Sequence, residues 1–143
     1  MPTEHAEVAQ ALANYFRVPQ APGVVSAYLF GSHGSHREHR QSDVDVGILL
    51  DWSVHPTREG RFEQRLLLSG RLAGIVGTND VDVVILNDAP PQLGRAIVTT
   101  GRRVFCSGAE ADHVFLRTAL LRAADLEPFL RRARRAKLAA IAR

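Results

Sequence analysis

LFGSHGSHREHRQSDVDVGILL, residues 29–50, opens with an apolar lead-in that stops at Gly31-Ser32. Ten polar or small residues follow, then Asp43-Val44-Asp45 and an apolar tail from Val46 to Leu50. The lead-in belongs to a β-branched and aromatic run from Val24 to Phe30, and Asp43 to Leu50 is a second run with period-two order, so two strands joined by a turn with a short helix are expected. Strand side chains alternate, which puts Val44, Val46, Ile48 and Leu50 on one face and Asp43 and Asp45 together on the other.

Two carboxylates held side by side repel, and protonation, a basic partner or a cation must neutralise one of them. A hard divalent cation suits them best, because Mg²⁺ favours carboxylate oxygens and completes its shell with water and substrate phosphates. Gly31 and Ser32 stand where a strand ends and a helix can begin, so backbone N–H groups and a hydroxyl would face a phosphate there. Glycine also lets the phosphate approach the backbone. A cation site beside a phosphate cradle suggests a nucleoside triphosphate bound with metal.

In these residues the chain resembles the DNA polymerase β superfamily of nucleotidyltransferases, whose signature is Gly-Ser, ten residues, Asp-x-Asp. Gly31-Ser32, residues 33–42 and Asp43-Val44-Asp45 match it without a gap. The resemblance runs from about Val24 to Cys106. The short chain is most similar to the minimal nucleotidyltransferases that are the antitoxin partners of HEPN ribonuclease toxins. One departure stands out: many members carry Arg-Gly four and five residues after Gly31, where this chain has Ser35 and His36.

The resemblance implies a third carboxylate on a neighbouring strand. Asn79 to Leu86 offers Asp80 and Asp82; Asp82 is preferred because it lies further inside the apolar run, while Asp80 reads as a solvated strand start. It also implies the chemistry. Asp43, Asp45 and Asp82 would be the catalytic and metal-holding residues for two Mg²⁺ ions, Gly31 and Ser32 would bind the nucleotide, and AMP would pass from ATP to a tyrosine of a cognate HEPN toxin, silencing it. A small-molecule nucleotidyltransferase of the aminoglycoside type and a binding-only antitoxin with weakened catalysis are the competing readings.

The chain has 143 residues, 45% hydrophobic and 23% charged, ordinary for one soluble globular domain. A single nucleotidyltransferase domain over 1–143 is expected, with its core at about 24–106 and a C-terminal helical region at about 110–142. Nothing near the N-terminus resembles a signal peptide and no apolar run approaches the ~20 residues of a membrane helix, so a cytoplasmic protein without membrane contact is expected. Cys106 is the only cysteine, which excludes an internal disulfide and a cysteine-based zinc site, and it reads as a structural thiol.

Along the chain, Val8, Leu12 and Phe16 mark an amphipathic helix over residues 4–17. His33, His36 and His39 recur every third residue; they read first as a solvated polar loop, then as triphosphate contacts, and last as a zinc site lacking a carboxylate behind it. Trp52 reads as a rim or core aromatic ahead of a nucleobase platform. A second helix is expected over 57–76, with Phe62, Leu66, Leu72 and Ile75 buried and Gly77 as its stop. Asp88 is a possible cap for a third helix, Pro91 to Thr100, and Arg102 to Cys106 is a fourth strand. The elements describe a small mixed α/β sheet of the minimal polymerase-β-like type, with helices mainly on one face and a C-terminal helical extension.

Residues 110–142 read as a helix with a possible break at Pro128. From Val114 to Arg143 eight Arg or Lys stand against two acids, with Arg131, Arg132, Arg134, Arg135 and Lys137 clustered. A solvated face comes first for this cluster, then a protein-partner surface. Direct nucleic-acid binding is not expected, because no aromatic residues are interleaved. The resemblance points to the cognate toxin as the partner, met by this basic helix and by the active-site face.

Overall fold

A computed structural model describes residues 3–17, 22–31, 44–77 and 81–142. The elements are α1 (Thr3–Arg17), β1 (Val24–Phe30), β2 (Val44–Leu50), α2 (Arg58–Val76), β3 (Val81–Ile85), α3 (Pro91–Thr100), β4 (Arg102–Cys106) and α4 (Ala109–Ala142). The strands form one sheet in the order β3-β2-β1-β4. β1 is antiparallel to both its neighbours, and β2 and β3 are parallel. A parallel pair needs a crossover, which α2 supplies. No helix among the described residues is long and apolar enough to cross a membrane.

The α/β class, the mixed sheet and the C-terminal extension stand as read, but helices cover both faces of the sheet. On one face Ala27, Leu29, Val46, Ile48 and Val83 pack against Leu12 and Phe16 of α1 and Leu68 and Leu72 of α2. On the other, Val25, Tyr28 and Leu49 pack against Ile97 and Val98 of α3 and Phe115 and Leu116 of α4. The physical reason lies in β1 and β2, which are apolar at both parities apart from Ser26, Asp45 and Gly47, so each face needs a cover. Gly47 lets α3 close on β2: a Cβ there would stand 2.9 Å from Cγ2 of Ile97.

α2 starts at Thr57, whose hydroxyl accepts from the N–H of Gly60 at 3.0 Å, and stops at Gly77 in the left-handed conformation. Its buried stripe is Arg61, Leu68 and Leu72. Phe62 and Leu66, expected inside, are 51% and 58% exposed. Apolar residues occur nearly all round this helix, so its pattern does not define which side turns inward. Arg61 is buried by a two-pronged bond to Asp88, Nε to Oδ2 and Nη2 to Oδ1, both at 2.9 Å. Asp88 therefore ties α2 to the 3-10 turn Leu86–Asp88 and caps nothing.

α4 is unbroken through Pro128 and, at about 1.5 Å per residue, reaches roughly 50 Å. Its first turn is locked by Asp112, a buried carboxylate that accepts from Ser26 Oγ (2.6 Å) and Tyr28 Oη (2.9 Å) and pairs with Arg103 Nη1 (2.8 Å). Burial, with Asp112 alongside, pushes the Tyr28 hydroxyl well above the usual tyrosine range. Ala119 and Ala123 are buried further along. From Arg131 to Ile141 every residue is exposed, and Val114, Leu121 and Phe129 also stand in solvent.

Candidate active site

β1 ends where Phe30 pairs with Asp45 of β2. The next residue, Gly31, has φ +84, and a Cβ there would run into the carboxylate of Asp45, with Cγ only 2.8 Å away. Two separate facts thus demand glycine at position 31: a left-handed backbone and a carboxylate occupying the space a side chain would fill.

Asp45 is in register with Asp82 of the parallel strand β3. Both point to the α3/α4 face, the parity of Gly47 and of Val84, so the two carboxylates stand side by side across one strand spacing of about 4.8 Å. Asp82 is the more open of the two, its side chain 65% exposed. Ser32, Asp43, Asp80, Ser35 and the histidines at 33, 36 and 39 lie outside the described residues. Among the described residues no three metal-capable side chains converge.

Sequence reasoning missed Arg65. Its Nε donates to the carbonyl of Val83 at 2.8 Å, and its Nη2 lies 3.8 Å from Oδ1 of Asp82. The available signal was spacing: Arg61, Arg65, Leu68 and Leu72 recur at i, i+4, i+7 and i+11, the positions of one helix face. A cation on the sheet-facing side of a helix needs a partner, and both arginines have one.

Trp52, in contrast, is 57% exposed beyond the far end of β2, roughly 23 Å along the strand direction from Asp45 at about 3.3 Å per residue. The guanidinium of Arg61 covers its ring, 4.8 Å from the centroid. It is a rim aromatic.

The row Gly31, Asp45, Asp82 crosses three neighbouring strands at one end of the sheet. Two adjacent carboxylates beside a glycine turn form a donor set of the kind hard cations and phosphates use. Among known proteins, the protein adenylyltransferase MntA of Shewanella oneidensis is 32% identical over 91 residues, a match covering 64% of this chain and 59% of the relative's length. The toxin–antitoxin complex with AMP-PNP contains a chain sharing the fold at a TM-score of 0.64 and 24% identity, with 94% of this chain and 98% of that one covered. A chain of the tri-AMPylated Shewanella oneidensis HEPN toxin in complex with MNT antitoxin shares it at 0.57 and 21% identity, with both chains fully covered at 100%. Residues 10–110 match the profile described as Polymerase beta, Nucleotidyltransferase, and with the Asp45–Asp82 register in a sheet of this kind the chain belongs to that nucleotidyltransferase family.

Proposed function

We propose that this chain is the antitoxin of a HEPN/MNT toxin–antitoxin pair, acting in the cytoplasm, and that it transfers AMP from ATP to a tyrosine of its cognate HEPN toxin. The observation that carries this reading is the in-register Asp45–Asp82 pair beside a glycine turn packed on Asp45. The relatives with the same fold add to it: one is a protein adenylyltransferase, and another is in complex with an AMPylated HEPN toxin.

Asp45 and Asp82 fit Mg²⁺, because the carboxylates of these two residues share one face at one strand spacing, and Asp43 of the motif would join them. Bound there, two ions would offset the charge of the triphosphate and lower the pKa of the attacking hydroxyl. Gly31 and Ser32 hold the terminal phosphates and so align the reacting one. The tyrosine oxygen attacks the α-phosphorus, the bond from that phosphorus to pyrophosphate breaks, and the hydroxyl proton passes to Asp82. Arg65, 3.8 Å from Asp82, would help to position that carboxylate for the entering oxygen.

The toxin is also met by the outer half of α4, where Arg131, Arg132, Arg134 and Arg135 and the apolar Phe129, Leu138 and Ile141 are all exposed. AMP on a toxin tyrosine adds negative charge and bulk where RNA must bind.

The test is intact-mass measurement of the toxin encoded beside this chain after incubation with the protein, ATP and Mg²⁺. Addition of AMP that disappears with Asp45→Asn is expected. No added mass, with the two proteins still in a stable complex, would replace this reading with an antitoxin that acts by binding alone.

A further inference from the structure

β3 is an outer strand among the described strands, and beside its outer edge lies a cavity of about 740 Å³. Phe62 and Arg65 of α2, Val84 of β3, and Pro90 and Leu93 at the start of α3 are among its walls. Val84 is two residues beyond Asp82 on the same face of the strand, so the cavity opens beside that carboxylate. Arg65 stands between them, bonded to the Val83 carbonyl at 2.8 Å and 3.8 Å from Asp82.

Group transfer at phosphorus is close to in-line: the entering oxygen arrives opposite the leaving one. The phosphates that leave belong at the β1 side, at Gly31. Across the sheet from that point come Asp45 on β2, then Asp82 on β3. The entering oxygen therefore arrives from the β3 side, where the cavity is. Its volume lies within the ~300–1,000 Å³ usual for ligand pockets, room for an aromatic side chain with flanking backbone.

The walls match that class of occupant. Phe62 and Leu93 are 51% and 38% exposed, an apolar pair that leaves surface for a ring to cover. Arg65 already takes the outward carbonyl of Val83, so an incoming segment meets the side-chain walls of the cavity rather than the strand backbone.

We propose that this cavity is the acceptor subsite: a segment of a partner protein enters beside β3 and seats an aromatic ring between Phe62, Val84 and Leu93, its hydroxyl oxygen directed past Arg65 at Asp82. The inference rests on the AMP-transfer reading. The bond made is from the aromatic oxygen to the α-phosphorus of ATP; the bond broken is to pyrophosphate, which leaves on the Gly31 side, and the hydroxyl proton goes to Asp82.

Leu93→Trp, which fills the cavity, and Phe62→Ala, which removes its aromatic wall without adding a charge beside Arg65, test the subsite without touching the carboxylate row. Each is expected to slow AMP transfer to the partner protein about tenfold, the equivalent of one lost apolar contact, while the affinity for AMP-PNP with Mg²⁺ stays within about twofold. In parallel, a short capped peptide with valines on both sides of one tyrosine is titrated into the full chain with AMP-PNP and Mg²⁺, and amide NMR shifts are followed. Saturable shifts at Val83, Val84, Ile85 and Leu93 that weaken or vanish in Phe62→Ala are expected.

Transfer by both variants at the wild-type rate would overturn the subsite while leaving the AMP-transfer reading intact. Peptide shifts confined to α4, or none, would also overturn it. Saturable shifts along β3 with no transfer by the wild-type protein would overturn the AMP-transfer reading and the acceptor role with it, leaving a cavity that binds peptide only.

Discussion

Replacing Gly31 by alanine separates the two demands the structure makes at that position. A non-glycine residue held at φ +84 costs about 1–2 kcal/mol of stability. The added Cβ also stands 2.8 Å from Cγ and 3.0 Å from Cβ of Asp45, so one side must give way. The carboxylate is the far end of a short flexible side chain, and rotating it aside is cheaper than moving two paired strands. The stability loss thus stays near the backbone strain, and the clash appears as a displaced Asp45. A displacement of about 1 Å in a reacting group is enough to lower turnover about 100-fold. Gly77 supplies the control: its φ is +78, and among the described residues nothing lies within 4 Å of a Cβ built there. Gly77→Ala therefore carries similar strain, about 1–2 kcal/mol, with no clash. Urea unfolding and AMP transfer to the toxin are measured on both variants. Similar losses of stability are expected, with transfer reduced about 100-fold in Gly31→Ala alone. Gly31→Asn, which tolerates positive φ better but still carries a Cβ, should be as inactive as the alanine variant. Equal transfer by the Gly31 and Gly77 alanine variants would refute the claim that the glycine is there to make room for Asp45.

Asp112→Ala leaves the buried hydroxyls of Ser26 and Tyr28 without their acceptor, while Arg103, 51% exposed, regains water; a loss of about 3 kcal/mol in urea denaturation is expected, and a loss below about 1 kcal/mol would deny the cluster its role. Tyr28 has its pKa raised by burial and by Asp112, so the folded state holds the proton more tightly than the unfolded chain does. Its contribution is whole below about pH 10 and declines above it, at up to about 1.4 kcal/mol per pH unit, and Tyr28→Phe should remove that slope from alkaline unfolding curves. A chain ending at Leu130 loses the exposed basic helix and should bind the toxin more weakly with unchanged affinity for AMP-PNP; unaltered toxin binding would exclude that helix as a contact surface.

Much of the frame was legible because its signals are local. The strand from Val24 to Phe30 is bounded by Pro22-Gly23 and Gly31, α2 stops at a glycine with positive φ, and α3 begins at Pro91, each a signal within a few residues. Asp82 stands in register with Asp45, while Asp80, the other candidate in that run, lies outside the described residues. The illegible features are those that join distant residues or depend on rotation about a helix axis. Asp112 meets Ser26 across 86 positions, and Arg61 meets Asp88 across 27, so no window along the chain contains either pair. The phase of α2 was misread for the second reason: Phe62, Leu66, Leu68 and Leu72 are all apolar, and only the sheet decides which of them face inward.

That phase matters for the site itself. Asp45 and Asp82 belong to strands joined by the α2 crossover, and their register exists because Leu68 and Leu72 seat α2 on the same sheet face as Val46 and Val83. The same rotation brings Arg65 to the edge of β3, where it meets the Val83 carbonyl and Asp82, and leaves Phe62 at the mouth of the cavity. Had α2 turned Phe62 and Leu66 inward as the sequence suggested, the β3 edge would have lost both its cap and its apolar wall. The motif supplies the carboxylates, but the inward face of a helix with no motif sets what stands beside them.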